Sequence, residues 1–473
     1  MTCLNKTGHS TKISFLLLLV MMVMFQLLFL QAEEPVDEKP YLDISRQLLQ
    51  KGLEENQAYA ILQKITSVGP RLTGSSQAAA VVKIMYKEML DMGLDNVHLE
   101  PVQVGQWTRG TKEEARITSA EFGNIPLTIC AIGGSVSTPQ GELSGQVIEI
   151  RSRKEFDTIG DMAEGKIIFF NQPMDPTNTD TFRAYGEAAW QRVLGASMAA
   201  SVGSVAVLVR SVTTAIDDFP HTGLMFYDPK YKKIPAACLS TKSANMLSRS
   251  LKNDPGLLVH MRMDCEQKKP VLSYNVVGEI TGSEIPDEIV LFGGHLDSWD
   301  KGTGAHDDGA GCAHSMEAIR LIKEAGLKPR RTIRAVLFMD EEFGGTGGKA
   351  YAKAEERRGE THLAAIESDR GGFLPVAFGI GGDEAVFSVL KKWEYLFRIF
   401  SPFEIRRGGG GVDIGPLAEG GTVLMSLIPD CQRYFDVHHC GRDIIDTVNP
   451  RELELGAVFL AIFSFVLAQE GLE

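Results

Sequence analysis

The chain has 473 residues, which is too long for one ordinary hydrophobic core and predicts two or three domains. Apolar residues make up 44% and charged residues 23% of the chain, as in ordinary globular proteins. The formal net charge is −13 at pH 7. Because the phosphates of nucleic acids bind basic surfaces, this charge argues against a nucleic-acid-binding protein.

The N-terminal segment, residues 1–32, has the pattern of an export signal. Lys6 and Lys12 precede an apolar run from Ile13 to Leu30, and Ala32 is a small residue before an acidic stretch. This order predicts a cleaved signal peptide and a secreted, periplasmic or otherwise extracellular protein. An uncleaved membrane anchor stays open as the alternative, because about 18 mostly apolar residues can just cross a bilayer.

The next two segments differ in character. Residues 33–110 are mainly helical, with predicted helices at Leu42–Lys51, Glu55–Val68 and Gln77–Met92 and a strand at Val97–Val104. Residues 111–270 contain short strands separated by Gly, Pro, Asn and Asp, with an alanine-rich helix at Trp190–Val202. The predicted strands of this second segment are Gly145–Ile150, Gly165–Phe170, Val205–Val209 and Ile234–Leu239. We expect residues 111–270 to form a β-rich unit inserted into a domain made of residues 33–110 and 271–473.

From Tyr274 onward, apolar strands alternate with helices. The predicted strands are Ile289–Phe292, Thr332–Met339, Leu363–Ile366 and Thr422–Leu427, and the predicted helices are Gly309–Ala325, Gly347–Arg357 and Asp383–Phe397. This alternation predicts an α/β fold whose sheet is covered by helices on both faces. The terminal apolar run Leu455–Ala468 has only 14 residues and predicts a core helix rather than a membrane span.

The cysteines predict no cysteine-based zinc site. Seven are present, six of them follow the N-terminal segment, and none forms a CxxC pair. Cys431 and Cys440 are the closest pair, and export makes a disulfide between them possible. Two free buried thiols are the alternative.

Acidic residues and histidines follow the C-terminal end of every strand predicted in the last domain. They are His295, Asp297, Asp307, Asp308, Glu341, Glu342, Asp369, His438 and His439. Since open α/β sheets bind ligands at the carboxyl ends of their strands, we expect these side chains to converge on one cleft. Each motif alone is more often a turn, a helix cap or a solvated face. Together, two imidazoles and several carboxylates predict a site for zinc or a similar divalent metal.

The number of carboxylates predicts two metal ions rather than one. Uncompensated carboxylates in one cleft repel one another and raise each other's pKa values. Two dications about 3.5–4 Å apart, bridged by a shared carboxylate, remove that repulsion. Glu341 and Glu342 would then divide their roles, because neighbouring side chains at a strand end point in opposite directions. One can bind metal while the other acts as a general base.

The order of these motifs resembles that of the co-catalytic zinc exopeptidases of the aminopeptidase and glutamate carboxypeptidase group. The matching motifs are His295-x-Asp297, Asp307-Asp308-Gly309, Glu341-Glu342, Glu367-Ser368-Asp369 and His439. Longer stretches, Gly294–Asp300, Pro220–Gly223 and Ser273–Val277, resemble the carboxypeptidase branch of this family, whose members prefer dipeptides with a free C-terminus. The resemblance implies a zinc-exopeptidase (phosphorylase/hydrolase-like) fold, an inserted protease-associated domain, two Zn²⁺ ions per chain, a peptide substrate and a homodimer.

The resemblance also assigns a role to each site residue. It implies that His295, Asp307 and Asp369 hold one zinc ion, and that Glu342, His439 and the bridging Asp307 hold the other. Glu341 would be the general base, and Asp297 would hydrogen-bond the far nitrogen of His295. The family further implies a cis peptide bond at Asp307-Asp308.

Several residues near the motifs are candidates for other roles. His438 stands where many aminopeptidases of the group have a tyrosine, so it is a candidate oxyanion donor, with a packing role as the alternative. Cys440 and Arg370 stand at positions where the family usually has small residues. These differences are expected to affect the specificity of the pocket. Arg370 and Arg407 are candidates for binding the carboxylate of the substrate. His306 and His314 are expected to be structural.

The resemblance predicts hydrolysis of a terminal peptide bond in dipeptides or short peptides. An aminopeptidase with the same site is the nearest alternative. A catalytically inactive ectodomain that binds a partner is an alternative from another class. The presence of a suitable residue at every ligand position argues against this inactive protein.

Overall fold

The computed structural model describes residues 40–354, 357, 359–398, 400 and 402–472. The predicted export signal lies outside the described residues. The chain divides into two units, Met1–Arg46 and Gln47–Glu473. The first described helix begins at Leu42, in the first unit, and every later element belongs to the second unit.

The described residues form sixteen strands. In chain order, β1–β16 are Asp95–Thr108, Glu113–Ser119, Gly123–Leu127, Ile129–Ala131, Leu143–Ile150, Ile167–Phe170, Ala206–Arg210, Ala236–Leu239, Leu258–Met263, Glu266–Ile280, Ile285–His295, Arg331–Phe338, Thr361–Glu367, Pro375–Ile380, Glu404–Arg407 and Val423–Pro429.

Twelve α-helices are described. In chain order, α1–α12 are Leu42–Glu55, Gln57–Thr66, Ser76–Asp91, Arg153–Phe156, Thr181–Val193, Gly195–Ser201, Thr241–Asn253, Ala310–Glu324, Thr346–Lys353, Glu384–Lys391, Tyr395–Arg398 and Pro450–Glu470.

Eight strands form a mixed sheet in the order β1-β10-β12-β11-β13-β16-β14-β15. Its four central strands, β12, β11, β13 and β16, run parallel, and β1, β10 and β14 pair antiparallel to their inner neighbours. Ile289 and Leu291 pack with Tyr351 of α9 on one face. The alternate residues Val290 and Phe292 point to the other face, where α8 and α12 contact the sheet. The predicted α/β sheet with helices on both faces is therefore confirmed.

A second mixed sheet of eight strands has the order β3-β2-β9-β5-β6-β7-β8-β4. All its strands come from residues 113–263, whereas the first sheet takes its strands from residues 95–108 and 266–429. Separate apolar clusters lie on its two faces, one including Phe169 and Leu208 and the other Phe170 and Val209. Because neighbouring residues of a strand pack into different clusters, both faces of the central strands are buried. These strands are therefore apolar throughout.

Some predicted elements differ from the structure. The predicted helix Trp190–Val202 is helical in the structure but interrupted at Leu194, after α5 ends at Val193 and before α6 begins at Gly195. A Cβ at Gly195 would lie 3.0 Å from the ring of Phe170, so this break packs closely on the sheet. The predicted helix Asp383–Phe397 is interrupted by a 3₁₀ turn at Lys392–Glu394. Strands β14 and β15 were missed because both are short and lie at or next to the sheet edge.

The C-terminal helix α12 is a core helix, as predicted. It is the one described helix long and apolar enough to cross a membrane, and 83% of its most apolar window is buried inside the protein. The side chain of Asn449 accepts hydrogen bonds from the amides of Arg451 and Glu452, and Pro450 occupies the first turn. These residues set the start of the helix.

The cysteines of the described residues are all free thiols. The disulfide considered for Cys431 and Cys440 is therefore wrong, and the alternative of free thiols holds. Each thiol instead donates to a nearby backbone carbonyl: Cys431 to Pro429 at 3.1 Å and Cys440 to Val437 at 3.2 Å.

Candidate metal centre

The predicted site residues meet at the carboxyl ends of the central parallel strands. His295 ends β11, Glu342 follows β12, and Asp369 follows β13. A cavity of about 530 Å³ opens at this edge of the sheet. Its lining includes the predicted residues Asp307, Glu341, Glu342, Asp369, His438 and His439. His295 and Asp297 are buried.

Asp307 lies between two groups of predicted ligands. Its Oδ1 is 3.2 Å from Nε2 of His295, which is itself 3.5 Å from Oδ1 of Asp369. Its Oδ2 is 3.0 Å from Nε2 of His439, which is 3.1 Å from Oε2 of Glu342. Each carboxylate oxygen of Asp307 therefore faces a different imidazole and a different second carboxylate.

Two further side chains come close enough to compete as ligands, and their contacts argue against both. Asp308 lies near His295 and Asp369, but its Oδ2 accepts from the amide of His295 at 3.0 Å and its Oδ1 from the amide of Gly311 at 2.9 Å. His438 has its Nε2 3.6 Å from Oδ2 of Asp307, farther than the Nε2 of His439.

The position of Asp307 is fixed through its backbone. The peptide bond between Asp307 and Asp308 is cis, as the family resemblance implied. The carboxylate of Asp443 accepts from the amide of His306 at 2.7 Å and from the amide of Asp307 at 3.1 Å. Sequence reasoning missed Asp443, because it follows no strand and belongs to none of the recognised motifs.

Asp297 makes different contacts from those predicted. Its carboxylate is 3.7 Å from Nδ1 of His295, and the backbone carbonyl of Asp297 is the nearer partner at 3.1 Å. Instead, the carboxylate accepts from the amides of Asp340 at 2.8 Å and Glu341 at 3.2 Å, and from the hydroxyl of Thr73 at 2.5 Å. Asp297 thus orients His295 through its carbonyl and holds the turn that carries the two glutamates.

Electrostatics at the cluster favour a bound cation. Burial alone would lower the pKa of His295, but the carboxylates of Asp307 and Asp369 outweigh burial and raise that pKa well above its usual value. The carboxylates of Glu342 and Asp307 likewise outweigh burial and raise the pKa of His439 well above its usual value. Burial also raises the pKa of Glu342, whose Oε1 is buried and accepts no hydrogen bond from the described residues. Two imidazoles and three carboxylates with such an unused oxygen fit divalent metal ions.

Glu341 is not part of either ligand group. It lines the cavity and is partly exposed, whereas the neighbouring Glu342 is buried. Burial raises the pKa of Glu341 well above its usual value. A carboxyl group with a raised pKa that lies outside the ligand groups can take up a proton, as a general base does.

His438 packs beside His439 at the mouth of the cluster. The two rings are stacked with centroids 3.5 Å apart, and the aromatic rings of Tyr185, Tyr434 and Phe435 surround His438. Burial, followed by the charge of His439, lowers the pKa of His438 well below its usual value. Burial therefore favours the neutral ring, and its Nδ1 has no hydrogen-bond partner within the described part of the chain.

The other two histidines that were expected to be structural pack away from the ligand groups. His306 stacks on Phe373 at 4.3 Å, and Nδ1 of His314 lies 2.9 Å from the hydroxyl of Ser368. Burial lowers the pKa of His306 to about 4 and that of His314 to about 3.

The arginines that were candidates for the substrate carboxylate do not line the metal-side cavity. Arg370 lies over the ring of Phe182 at 4.4 Å, and Arg407 pairs with Glu384 and lies over Phe387. Both border a second cavity, of about 910 Å³. The arginine that does line the metal-side cavity is Arg192 of α5, which sequence reasoning missed because no motif surrounds it.

Comparisons with known proteins agree with this geometry. The sequence profile of peptidase family M28 matches residues 275–459. Carboxypeptidase Q from Bos taurus is 34% identical over 432 residues, which cover 90% of this chain and 89% of the bovine protein.

Two solved structures extend the comparison. The crystal structure of a peptidase M28 precursor from Shewanella amazonensis is 35% identical, with a TM-score of 0.87 and coverage of 91% of this chain and 97% of that chain. A zinc aminopeptidase from Bacillus subtilis is 18% identical, with a TM-score of 0.62 and coverage of 88% of this chain and 95% of that chain, and it shares the fold. Because identities of 34–35% extend over nearly the full length of two relatives, the chain belongs to peptidase family M28 and is a metallopeptidase related to carboxypeptidase Q.

Proposed function

We propose that this M28 metallopeptidase is an exopeptidase that uses two zinc ions to hydrolyse dipeptides or short peptides. The observation that carries the proposal is the position of Asp307, whose two oxygens face His295 and His439 at 3.2 Å and 3.0 Å. The name of the bovine relative, Carboxypeptidase Q, supports cleavage beside a free C-terminus.

His295, Asp307 and Asp369 would hold one zinc ion, and Glu342, His439 and Asp307 would hold the other. The shared carboxylate supports two ions, because it has one oxygen for each. Zinc supplies Lewis-acid chemistry at such a site, since it polarises a carbonyl oxygen and lowers the pKa of water to about 7.

Glu341 is the general base of the proposed reaction. It takes the proton of the attacking water and passes it to the amine that leaves. Asp297 supports this role, because it binds the amides of Asp340 and Glu341 and so fixes the direction of the side chain. His438 donates a hydrogen bond to the oxyanion, and its position on the cavity wall, with Nε2 3.6 Å from Oδ2 of Asp307, supports this role.

Residues 111–270 form an inserted protease-associated domain in this proposal, between the two parts of the catalytic domain, 33–110 and 271–473. Its support is the second sheet, together with the cavity wall that this segment provides: Phe182, Tyr185, Arg192, Val193, Leu224 and Phe226 line the same cavity as the predicted ligands. A wall on that side leaves room for a short peptide rather than for a folded protein.

We also propose that the protein is exported and acts as a homodimer. The pattern of residues 1–32 supports a cleaved signal peptide and a secreted enzyme, with membrane anchoring as the outcome if that segment is retained. The homodimer rests on the family resemblance.

The proposed function is tested with unblocked dipeptides, their N-acetylated and C-amidated forms, and peptides of about six residues. We expect blocking of either end to lower kcat/KM at least about tenfold, or about 1.4 kcal/mol of transition-state binding. Activity should disappear with a chelator and return with zinc. Efficient release of single N-terminal residues from the longer peptides would contradict the proposal and favour an aminopeptidase.

Glu341→Gln should retain both metal ions and lose most of its turnover. Glu341 is placed as a base, and loss of a general base typically lowers the rate by about 10² to 10⁴. Metal content measured by mass spectrometry, together with single-turnover kinetics, checks this. The matched control is Glu342→Gln, which should lose metal. If Glu341→Gln loses one metal equivalent instead, the two glutamates have been assigned the wrong way round.

Asp307→Ala should weaken both metal sites, whereas Asp369→Ala should mainly empty one. Only Asp307 faces both imidazoles, and without it two dications would repel each other unscreened. Zinc titration of each variant by calorimetry distinguishes the two results. Two tight sites in Asp307→Ala would show that this residue does not bridge.

Zinc should stabilise the protein more as the pH rises from about 6 to about 8. Without metal, the raised pKa values of His295 and His439 stabilise the fold below their unfolded value of about 6.5. That stabilisation is lost as the pH rises through the folded values. Zinc binding follows the opposite trend, because it needs deprotonated ligands. Melting temperatures with zinc and with a chelator should diverge with pH, and a constant difference would contradict the assignment.

A further inference from the structure

Arg192 has an unusual environment for a buried arginine. It lies on α5 and is only 6% exposed. Its Nη1 donates to the carbonyl of Thr222 at 3.0 Å, and its Nη2 donates to the hydroxyl of Tyr185. Its Nε has no hydrogen-bond partner, and no acidic side chain pairs with it, among the residues that the structure describes.

Two other buried arginines, Arg71 and Arg109, have acceptors for their Nε and Nη atoms. Arg109 is also 6% exposed and pairs with both oxygens of Asp300. Arg71 is fully buried, and its guanidinium donates from Nε, Nη1 and Nη2 to backbone carbonyls. A buried charge without a partner is strongly unfavourable, and an unmade buried hydrogen bond costs about 1–3 kcal/mol. Arg192 therefore differs from these two arginines in lacking a complete set of acceptors.

The structure holds Arg192 firmly at the wall of the metal-side cavity. A Cβ at Gly223 would lie 2.4 Å from Cζ of Arg192, so the guanidinium fills space that only glycine leaves. Gly223 also has a φ of +143°, which other residues rarely adopt. The ring of Tyr185 lies 5.3 Å from the same Cζ. These contacts fix the guanidinium before any ligand arrives.

The same segment connects Arg192 to the predicted metal ligands. The amide of Thr222 donates to the carbonyl of His439 at 3.0 Å, and Nδ1 of His439 lies 3.3 Å from the carbonyl of Thr222. Arg192 lines the cavity together with Glu341, Glu342 and His439. An anion that pairs with Arg192 would thus lie in the same cavity as the predicted metal ligands.

We propose that Arg192 binds the C-terminal carboxylate of the peptide substrate and so determines the preference for a free C-terminus. This inference rests on the proposed exopeptidase function. A guanidinium has five N–H donors, of which two are used here, and the remaining hydrogens of the two Nη atoms can bind a carboxylate. Arg192 replaces Arg370 and Arg407 as the carboxylate-binding residue, because it lines the metal-side cavity.

The test compares kcat/KM for a dipeptide and its C-amide in the wild-type enzyme and in Arg192→Gln. In the variant, we expect kcat/KM for the free dipeptide to fall about ten- to hundredfold, while the value for the amide changes less than about threefold. The preference for the free carboxylate should therefore disappear, and the preference for a free N-terminus should remain. Arg370→Gln is the matched control and should retain both preferences.

Two further results show whether Arg192 binds the substrate or only positions His439. Arg192→Lys keeps the positive charge but not the planar guanidinium. It should therefore retain part of the preference for the free carboxylate, and its lower kcat/KM should come mainly from a higher KM. If the free dipeptide and the amide lose activity equally in both Arg192 variants, Arg192 acts only through Thr222 on His439, and the proposal is overturned. A wild-type enzyme that does not distinguish the two substrates would contradict the proposed function instead. Zinc content and melting temperature of each variant show whether it is folded.

Discussion

The rest of the site depends on the position of the Asp307 carboxylate between two imidazoles. It is buried at the carboxyl edge of the parallel strands, between the imidazoles of His295 and His439. Two buried carboxyl groups and one partly exposed carboxyl group beside two imidazoles are stable only if protons or cations lie among them. The fold therefore creates a place that favours divalent cations, and the proposed chemistry follows from that requirement.

Much of the surrounding structure serves to fix those carboxylates. Asp443 holds the backbone at Asp307, Asp308 binds the amide of His295, and Asp297 holds the turn before Glu342. Each of these acids accepts from backbone amides, which stabilises its charge without a basic side chain. The ligands are thus positioned by a second layer of acids, and the catalytic side of the cavity contains few cations. Arg192 of α5 supplies a positive charge on the wall of the same cavity.

The parallel core and its ligands could be predicted because they follow local patterns. The apolar runs before His295 and Asp369 are strands, and a polar residue after such a strand has few places to lie other than the sheet edge. The contacts that cross between distant segments could not be predicted. Thr73 binds Asp297 across 224 residues, and Arg192 meets Thr222 from a helix without a motif. Such contacts depend on how loops and helices come together in the folded chain, which no periodicity in the sequence records.

Anomalous diffraction at the zinc edge, from crystals of the zinc-loaded protein, tests the central claim most directly. The account predicts two peaks about 3.5–4 Å apart, one on each side of the Asp307 carboxylate. The first should lie beside His295 and Asp369 and the second beside His439 and Glu342. A single peak, or a pair of peaks that does not share Asp307, would contradict it.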